Sequence, residues 1–178
     1  MHYEPRVIGL DLSLTSTGVA SSLGWTRRIT TKPNQYKSAF ARLREIRSRV
    51  RDCVRNADLV VVEGLAIGSQ TGQHLTRAGL WHLVMESVDA AGIPWTEVPP
   101  ATLKRYATGR GNAAKDAVLL SVAKRFPDWD VTNADEADAL VLAAMGADQL
   151  GHPLAEMPAT HRNALDKVRW PEGLEGGQ

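Results

Sequence analysis

Apolar residues come first in short runs and then at helical steps. Residues 7–12, V-I-G-L-D-L, form a greasy run interrupted by one carboxylate, Asp11, and predict a strand. A small polar turn at 13–18 is followed by two further short strands, 18–23 and 26–31, which together make a meander. Pro33 and Asn34 break it. Ala39, Leu43, Ile46, Val50 and Val54 then recur at steps of 4, 3, 4 and 4, the stripe of an amphipathic helix, with most arginines of the segment off the stripe. L-V-V-V-E at 59–63 is a continuous apolar strand, the pattern of one buried on both faces. After a loop at 64–72, residues 73–91 predict a helix with apolar residues over more than one narrow face. A short strand at 93–98, helices at 101–106, 113–126 and 134–150, and a Pro- and Gly-rich tail complete the pattern.

This order predicts an α/β fold: a mixed sheet of three antiparallel strands plus parallel strands, flanked by helices on both faces. Residues 1–150 read as one domain and 151–178 as a partly irregular C-terminal tail. The 178 residues are 43% hydrophobic, enough for a proper core. Cys53 is the single cysteine, which excludes an internal disulfide and a cysteine-rich zinc site. No basic start leads into an apolar stretch, and no run approaches the length of a membrane span. The expectation is a soluble, cytoplasmic protein.

Net charge is +1, so there is no global signal for a polyanionic partner, but the distribution is uneven. Residues 27–55 hold ten Lys/Arg against Glu45 and Asp52; residues 99–126 hold six against Asp116; residues 127–149 hold acids and no Lys or Arg. Basic patches flanking acidic positions suit a metal-dependent nucleic-acid enzyme; solvated helix faces give the same pattern.

The acids carry the chemistry. A charge inside a buried strand is costly unless something pairs with it, so Asp11 needs a partner. Glu63 repeats the problem at the end of the second buried strand, and strand ends are where ligands bind in α/β sheets. In T-N-A-D-E-A-D-A-L, residues 132–140, Asp135 and Asp138 are three apart and share a helix face. Thr132 or Asn133 can cap that helix, with Asp135 or Glu136 completing a capping box. Capping does not explain Asp138, which enters an apolar run. Four carboxylates, Asp11, Glu63, Asp135 and Asp138, converging in one place repel one another unless a cation joins them. Hard divalent ions with oxygen ligands, Mg²⁺ or Mn²⁺, fit best, and two of them suit phosphodiester hydrolysis.

Four motifs in register resemble those of the RuvC family of Holliday junction resolvases, in the RNase H-like superfamily. G-L-D-L-S-L-T-S-T-G resembles its first-strand motif around Asp11. V-V-V-E-G resembles its second acidic motif at Glu63. P-A-T-L-K-R-Y-A-T-G-R-G-N-A-A-K-D-A-V resembles its basic segment, which assigns Lys104 and Lys115. D-E-A-D-A-L resembles its final acidic helix, with Asp135 and Asp138. The resemblance spans about residues 7–150. It implies an RNase H-like fold, a homodimer, two Mg²⁺ (or Mn²⁺) ions per site, and paired nicks in a four-way DNA junction. It also likens helix 73–91 to the family's dimer helix, with Leu80, Leu83 and Val84 as interface residues or as plain core. The family's aromatic after the second acid is missing from G-L-A-I-G-S-Q-T-G, where Leu65 or Ile67 is left to act as a wedge. Flaps, forks and other branched DNA are then further substrates.

The resemblance puts Lys115 in the catalytic set beside the acids and both lysines on the scissile phosphate. Arg110 suits a backbone phosphate, and Ser13 either a phosphate or a turn. The five histidines show no ligand spacing. Competing functions are an RNase H-like nuclease acting on RNA-containing substrates and a non-catalytic junction-binding protein. A sugar-kinase or actin-like phosphotransferase, which the first motif also resembles, requires a second lobe that 178 residues do not hold.

Overall fold

A computed structural model describes residues 3–65 and 73–174. Its centre is a five-stranded sheet in the order β3-β2-β1-β4-β5. Strands β1 (Val7–Asp11), β2 (Ser16–Ser21) and β3 (Trp25–Thr30) form the antiparallel meander. Strands β4 (Leu59–Glu63) and β5 (Trp95–Val98) extend it in parallel from β1. The helices are α1 (Ala39–Val54), α2 (His74–Asp89), α3 (Pro100–Thr108), α4 (Lys115–Arg125), α5 (Ala134–Gln149) and a single turn, α6 (Ala159–Arg162). The mixed sheet with helices on both faces is the expected architecture. None of the helices among the described residues is long and apolar enough to cross a membrane.

Strand alternation divides the core in two. Ile8, Leu10, Val60 and Val62 pack with the stripe of α1 and with Leu80, Val84, Met85 and Val88 of α2. Val7, Leu59, Val61 and Val98 pack with α3, α4 and α5 on the other face. Asp11 and Glu63 stand at even spacing from Val7 and Val61, so both belong to the α5 face, at the carboxyl ends of neighbouring parallel strands.

Helix α5 lies against the backbone of the sheet because three glycines remove the side chains in its way. A Cβ on Gly9 would strike the carbonyl of Ala139, and one on Gly18 the carbonyl of Asp135. Where α5 passes the opposite end of the strands, a Cβ on Gly146 would stand 2.7 Å from Val7 and 2.8 Å from Val61. Strand β2 starts at Ser16, two residues before the expected strand, and all six of its residues are buried. Its Ser, Thr and Gly content reads as a turn in sequence, but small side chains are what a strand beneath a closely applied helix needs.

Helix α2 corrects one expectation. Leu80 and Val84 are 1% and 0% exposed within this single chain, so they fill its own core and offer no surface to a partner. Leu83 is half-buried against the same cluster. The exposed side of α2 carries Leu75, 83% exposed, with Gly79, His82 and Glu86.

Residues 151–174 hold two short helical turns, and Met157, Ala164, Leu165 and Val168 are buried against α3 and α5. Asp148, buried on α5, accepts from Tyr106 (3.0 Å) and pairs with Arg162 of α6 (2.8 Å). Burial and the Asp148 carboxylate push the Tyr106 phenol well above its ordinary range, so it stays a donor.

Two glycine substitutions test the close approach of α5. Gly9→Ala should destabilise the chain by about 1–3 kcal/mol or more, because backbone must move. Gly79→Ala, in an exposed helix interior with nothing within 4 Å of the added Cβ, should stabilise it by about 0.5–1 kcal/mol. Thermal unfolding of both variants reads the difference; equal shifts would contradict the packing.

Candidate active site

The site begins with strand direction. β1 and β4 run in parallel and end side by side, delivering Asp11 and Glu63 to the same edge of the sheet. Helix α5 runs back across that edge, and its first turns add Asp135 and Asp138. Which acids of α5 are available is decided by its cap. Asn133 is the N-cap, its side chain accepting from the Glu136 amide at 3.0 Å. Glu136 reaches back to the amide and hydroxyl of Thr132, both at 2.8 Å, and is buried there. Capping therefore consumes Glu136 and leaves Asp135 and Asp138 directed to the cleft.

The cleft holds about 270 Å³ and is lined by Asp11, Glu63, Asp135 and Asp138 together with Ser13, Lys104 and Lys115. Lys104 comes from α3 and Lys115 is the first residue of α4. Arg77 of α2 also lines it, an unforeseen member. Its sequence signal was available: it is the single Lys or Arg of residues 73–91. Ser16 falls within the expected polar turn at 13–18. It is buried in β2, donates its hydroxyl to Asp135 and accepts from Arg28 Nε at 2.7 Å. An arginine on the edge strand thus orients an acid of the cleft through one hydroxyl. Thr17 bonds both the amide (3.0 Å) and the carbonyl (2.8 Å) of Ser13, which fixes the turn after Asp11.

Other expected residues lie outside the lining. Arg110 is exposed in the connection between α3 and α4. Leu65 is half-buried just past Gly64. Ile67 falls outside the described residues.

The electrostatics are those of acids brought together with few cations. Burial, then the Glu63 carboxylate, then Asp135 push Asp11 up to about 8, with Lys115 pulling the other way. Burial and the Asp11 charge push Asp138 up to about 7, again opposed by Lys115. Glu63 is raised too, by burial and by Asp138. Asp11 and Glu63 are close enough to share a hydrogen bond, and a proton between them is how such a pair avoids two adjacent charges. Among the described residues, no three acidic, His or Cys side chains converge tightly enough to form a ready cage for an ion. The donor set still fits a hard divalent cation: oxygen-only, partly desolvated, and without an ion pair to Lys or Arg among the described residues.

No protein-family model matches the chain. A crossover junction endodeoxyribonuclease RuvC of Rickettsia typhi is 34% identical over 83 residues, 46% of each protein. That of Rhodospirillum rubrum is 26% identical over 146 residues, 78% of this chain and 86% of the relative. The chain thus spans about half of the first relative and most of the second. RuvC of Thermus thermophilus superposes with a TM-score of 0.64 at 22% identity, covering 86% of this chain and 99% of that one. In sequence and in fold the chain is similar to RuvC endonucleases. The fold it shares with the Thermus protein is RNase H-like, and a second structure of that protein, in complex with Holliday junction substrate, superposes with a TM-score of 0.61 at 24% identity.

The raised acids make stability depend on pH. Between the ordinary carboxylate value and about 7–8, the folded chain holds protons that the unfolded chain has lost. The associated stability is complete in acid and is lost as pH rises through about 7–8. In EDTA, the melting temperature should therefore fall between about pH 5.5 and pH 8.5. Asp11→Asn should flatten this slope and melt higher than wild type at the alkaline end. Mg²⁺ should raise the wild-type melting temperature more at the alkaline end than at the acid end. A wild-type profile parallel to that of Asp11→Asn would contradict the crowding of charges.

Proposed function

We propose that the chain is a metal-dependent, structure-selective endonuclease that resolves four-way DNA junctions by paired symmetric nicks, acting as a homodimer. The observation that carries this reading is the single cleft in which β1, β4 and α5 present four acids, with Lys104 and Lys115 beside them. That similar proteins are crossover junction endodeoxyribonucleases supports the choice of DNA junctions over other phosphodiesters.

Asp11, Glu63, Asp135 and Asp138 are the oxygen ligands in this reading. Bound there, two Mg²⁺ or Mn²⁺ ions would supply an activated water and stabilisation of the leaving oxygen. Lys115 and Lys104 face the acids and hold the scissile phosphate; Lys115, which opposes the raised state of Asp11, Glu63 and Asp138, acts nearest the chemistry. Ser16 keeps Asp135 in one orientation, so this ligand need not be ordered when substrate arrives. Ser13 and Arg110 contact the flanking backbone. Leu65 and Ile67 are the apolar residues that the sequence leaves after Glu63 to act as a wedge against unstacked bases.

A second reading has its own observation. The segment after Glu63, G-L-A-I-G-S-Q-T-G, carries no aromatic residue. Stacking of a base on an aromatic side chain is worth roughly 1–3 kcal/mol, so selectivity for the junction centre is weaker and flaps, forks or RNA-containing duplexes become substrates.

Matched four-way junction, flap, duplex and hybrid substrates with Mg²⁺ distinguish these readings. The junction should be cut by paired nicks, with activity lost in EDTA. Asp11→Asn should reduce cleavage to background while binding the junction as well as or better than wild type, because a charge repelled by phosphate is gone. Lys115→Ala should lower cleavage strongly and weaken binding. Light scattering should give a dimer. Wild-type cleavage by Asp11→Asn, or a strict monomer making paired nicks, would overturn the assignment.

A further inference from the structure

Lys104 and Lys115 belong to the cleft, and the larger basic population of the chain lies elsewhere. Of the ten Lys/Arg between residues 27 and 55, four bond within the fold, among them Arg27 to the Cys53 sulfur (3.7 Å) and Arg49 to the Thr30 carbonyl (3.4 Å). Arg42 is buried, donating to the Leu14 carbonyl (2.5 Å) and to the hydroxyl (2.8 Å) and carbonyl (3.2 Å) of Thr31. Arg28 serves Ser16. On α1, Arg44, Arg47, Arg51 and Arg55 follow one another at steps of 3, 4 and 4, which sets them along one side of the helix and just beyond its last turn. Leu43, Ile46, Val50 and Val54 are buried on the core side. Arg44, Arg51 and Arg55 are exposed and Arg47 is half-buried.

Among the described residues, the row has one ion pair, Arg55 with Asp52 at 3.4 Å, and both of those side chains are more than half exposed. Like charges three and four apart destabilise a helix, so the row opposes itself unless an anion lies along it. Arg44 to Arg55 covers roughly 16 Å at ~1.5 Å per residue, the rise over which one DNA strand presents about five phosphates.

The row also has a defined position relative to the cleft. Through Arg42, the first turn of α1 is tied to Leu14, three residues beyond Asp11. The last turn lies near the start of β1, where Arg6 donates to the Cys53 carbonyl at 3.1 Å. The first turn of α1 thus lies at the end of the sheet that carries the cleft, and the arginine row runs from there toward the other end. At the far end, Arg51 and Arg55 line a groove of about 360 Å³ with Asn56 and Ser87.

We propose that the arginine row of α1 is a second DNA-binding surface, which holds the phosphate backbone of a duplex arm leading away from the strand in the cleft. It rests on the reading of the cleft as a DNA nuclease site. It binds without regard to sequence, since arginines on a helix flank aligned with a backbone meet phosphates and not base edges.

The test is the salt dependence of junction binding in EDTA, where no cutting occurs. The slope of log K against log salt changes by ~0.9 for each phosphate neutralised. R44Q/R47Q/R51Q should make it shallower by about two to three, while R44K/R47K/R51K should keep the wild-type slope. Shortening the arms of the junction should reduce the wild-type slope by a similar amount and leave the glutamine variant unaffected. A glutamine variant with a native circular dichroism spectrum and an unchanged slope overturns the proposal. So does a wild-type slope independent of arm length, which needs no variant to fold. A protein that shows the arm-dependent slope but cuts no substrate would sink the nuclease reading and leave this surface standing.

Discussion

The approach of α5 to the sheet is the constraint on which the site depends. Strands β1 and β4 can deliver only Asp11 and Glu63, both from one edge. The other two acids come from a helix, and they reach the same cleft only if that helix lies on the strand backbone, without side chains between. Gly9 and Gly18 permit this at the end that carries the acids, and Gly146 at the other. The small residues of β2 and the alanine-rich inner side of α5 serve the same contact, since each larger side chain there would lift the helix and separate the carboxylates.

Bringing acids together in this way opposes folding, and the chain answers it locally. Asp11, Glu63 and Asp138 are held above the ordinary carboxylate range by burial and by one another, while Lys115 relieves each of them in part. Asp135 is differently placed, with a hydroxyl donor from Ser16 that is itself bonded by Arg28. Asp135 is oriented by a serine hydroxyl, whereas Asp11, Glu63 and Asp138 are crowded by one another and, for Asp11 and Asp138, by Asp135 as well. That division suits a site completed by a cation: an acid already ion-paired would have to exchange a guanidinium for a metal, whereas an acid crowded by its neighbours gains on metal binding.

How much of this the sequence carried depended on whether a residue's role is local. Asp11 within an apolar strand and Glu63 at the end of another were legible because a charge in a buried run demands a reason. The α1 stripe was legible because its period is internal. The start of β2 at Ser16 was not, because its reason is α5, more than a hundred residues away. Capping by Asn133 and Glu136 was one of several arrangements allowed by T-N-A-D-E, and only the bond from Glu136 back to Thr132 singles it out. The apolar excess of α2 fits a partner surface or plain core equally well in sequence; in the fold Leu80 and Val84 are absorbed by a sheet that is apolar on both faces. Arg77 is the lone Lys or Arg of an apolar helix, but only the fold, which sets α2 beside the end of β4, joins it to the acids.

The charge asymmetry then has a structural meaning that net charge conceals. Acids gather where strands end and α5 begins, and arginines gather along α1, which packs on the opposite face of the sheet and touches the turn after Asp11. A polyanion entering the cleft meets repulsion at the reacting phosphate unless cations are bound there. Attraction for the rest of the same molecule therefore has to come from elsewhere on the protein. Placing the two on different elements would, in the function proposed, let the chain hold DNA by its arms without neutralising the carboxylates and leave the cleft to small, hard cations.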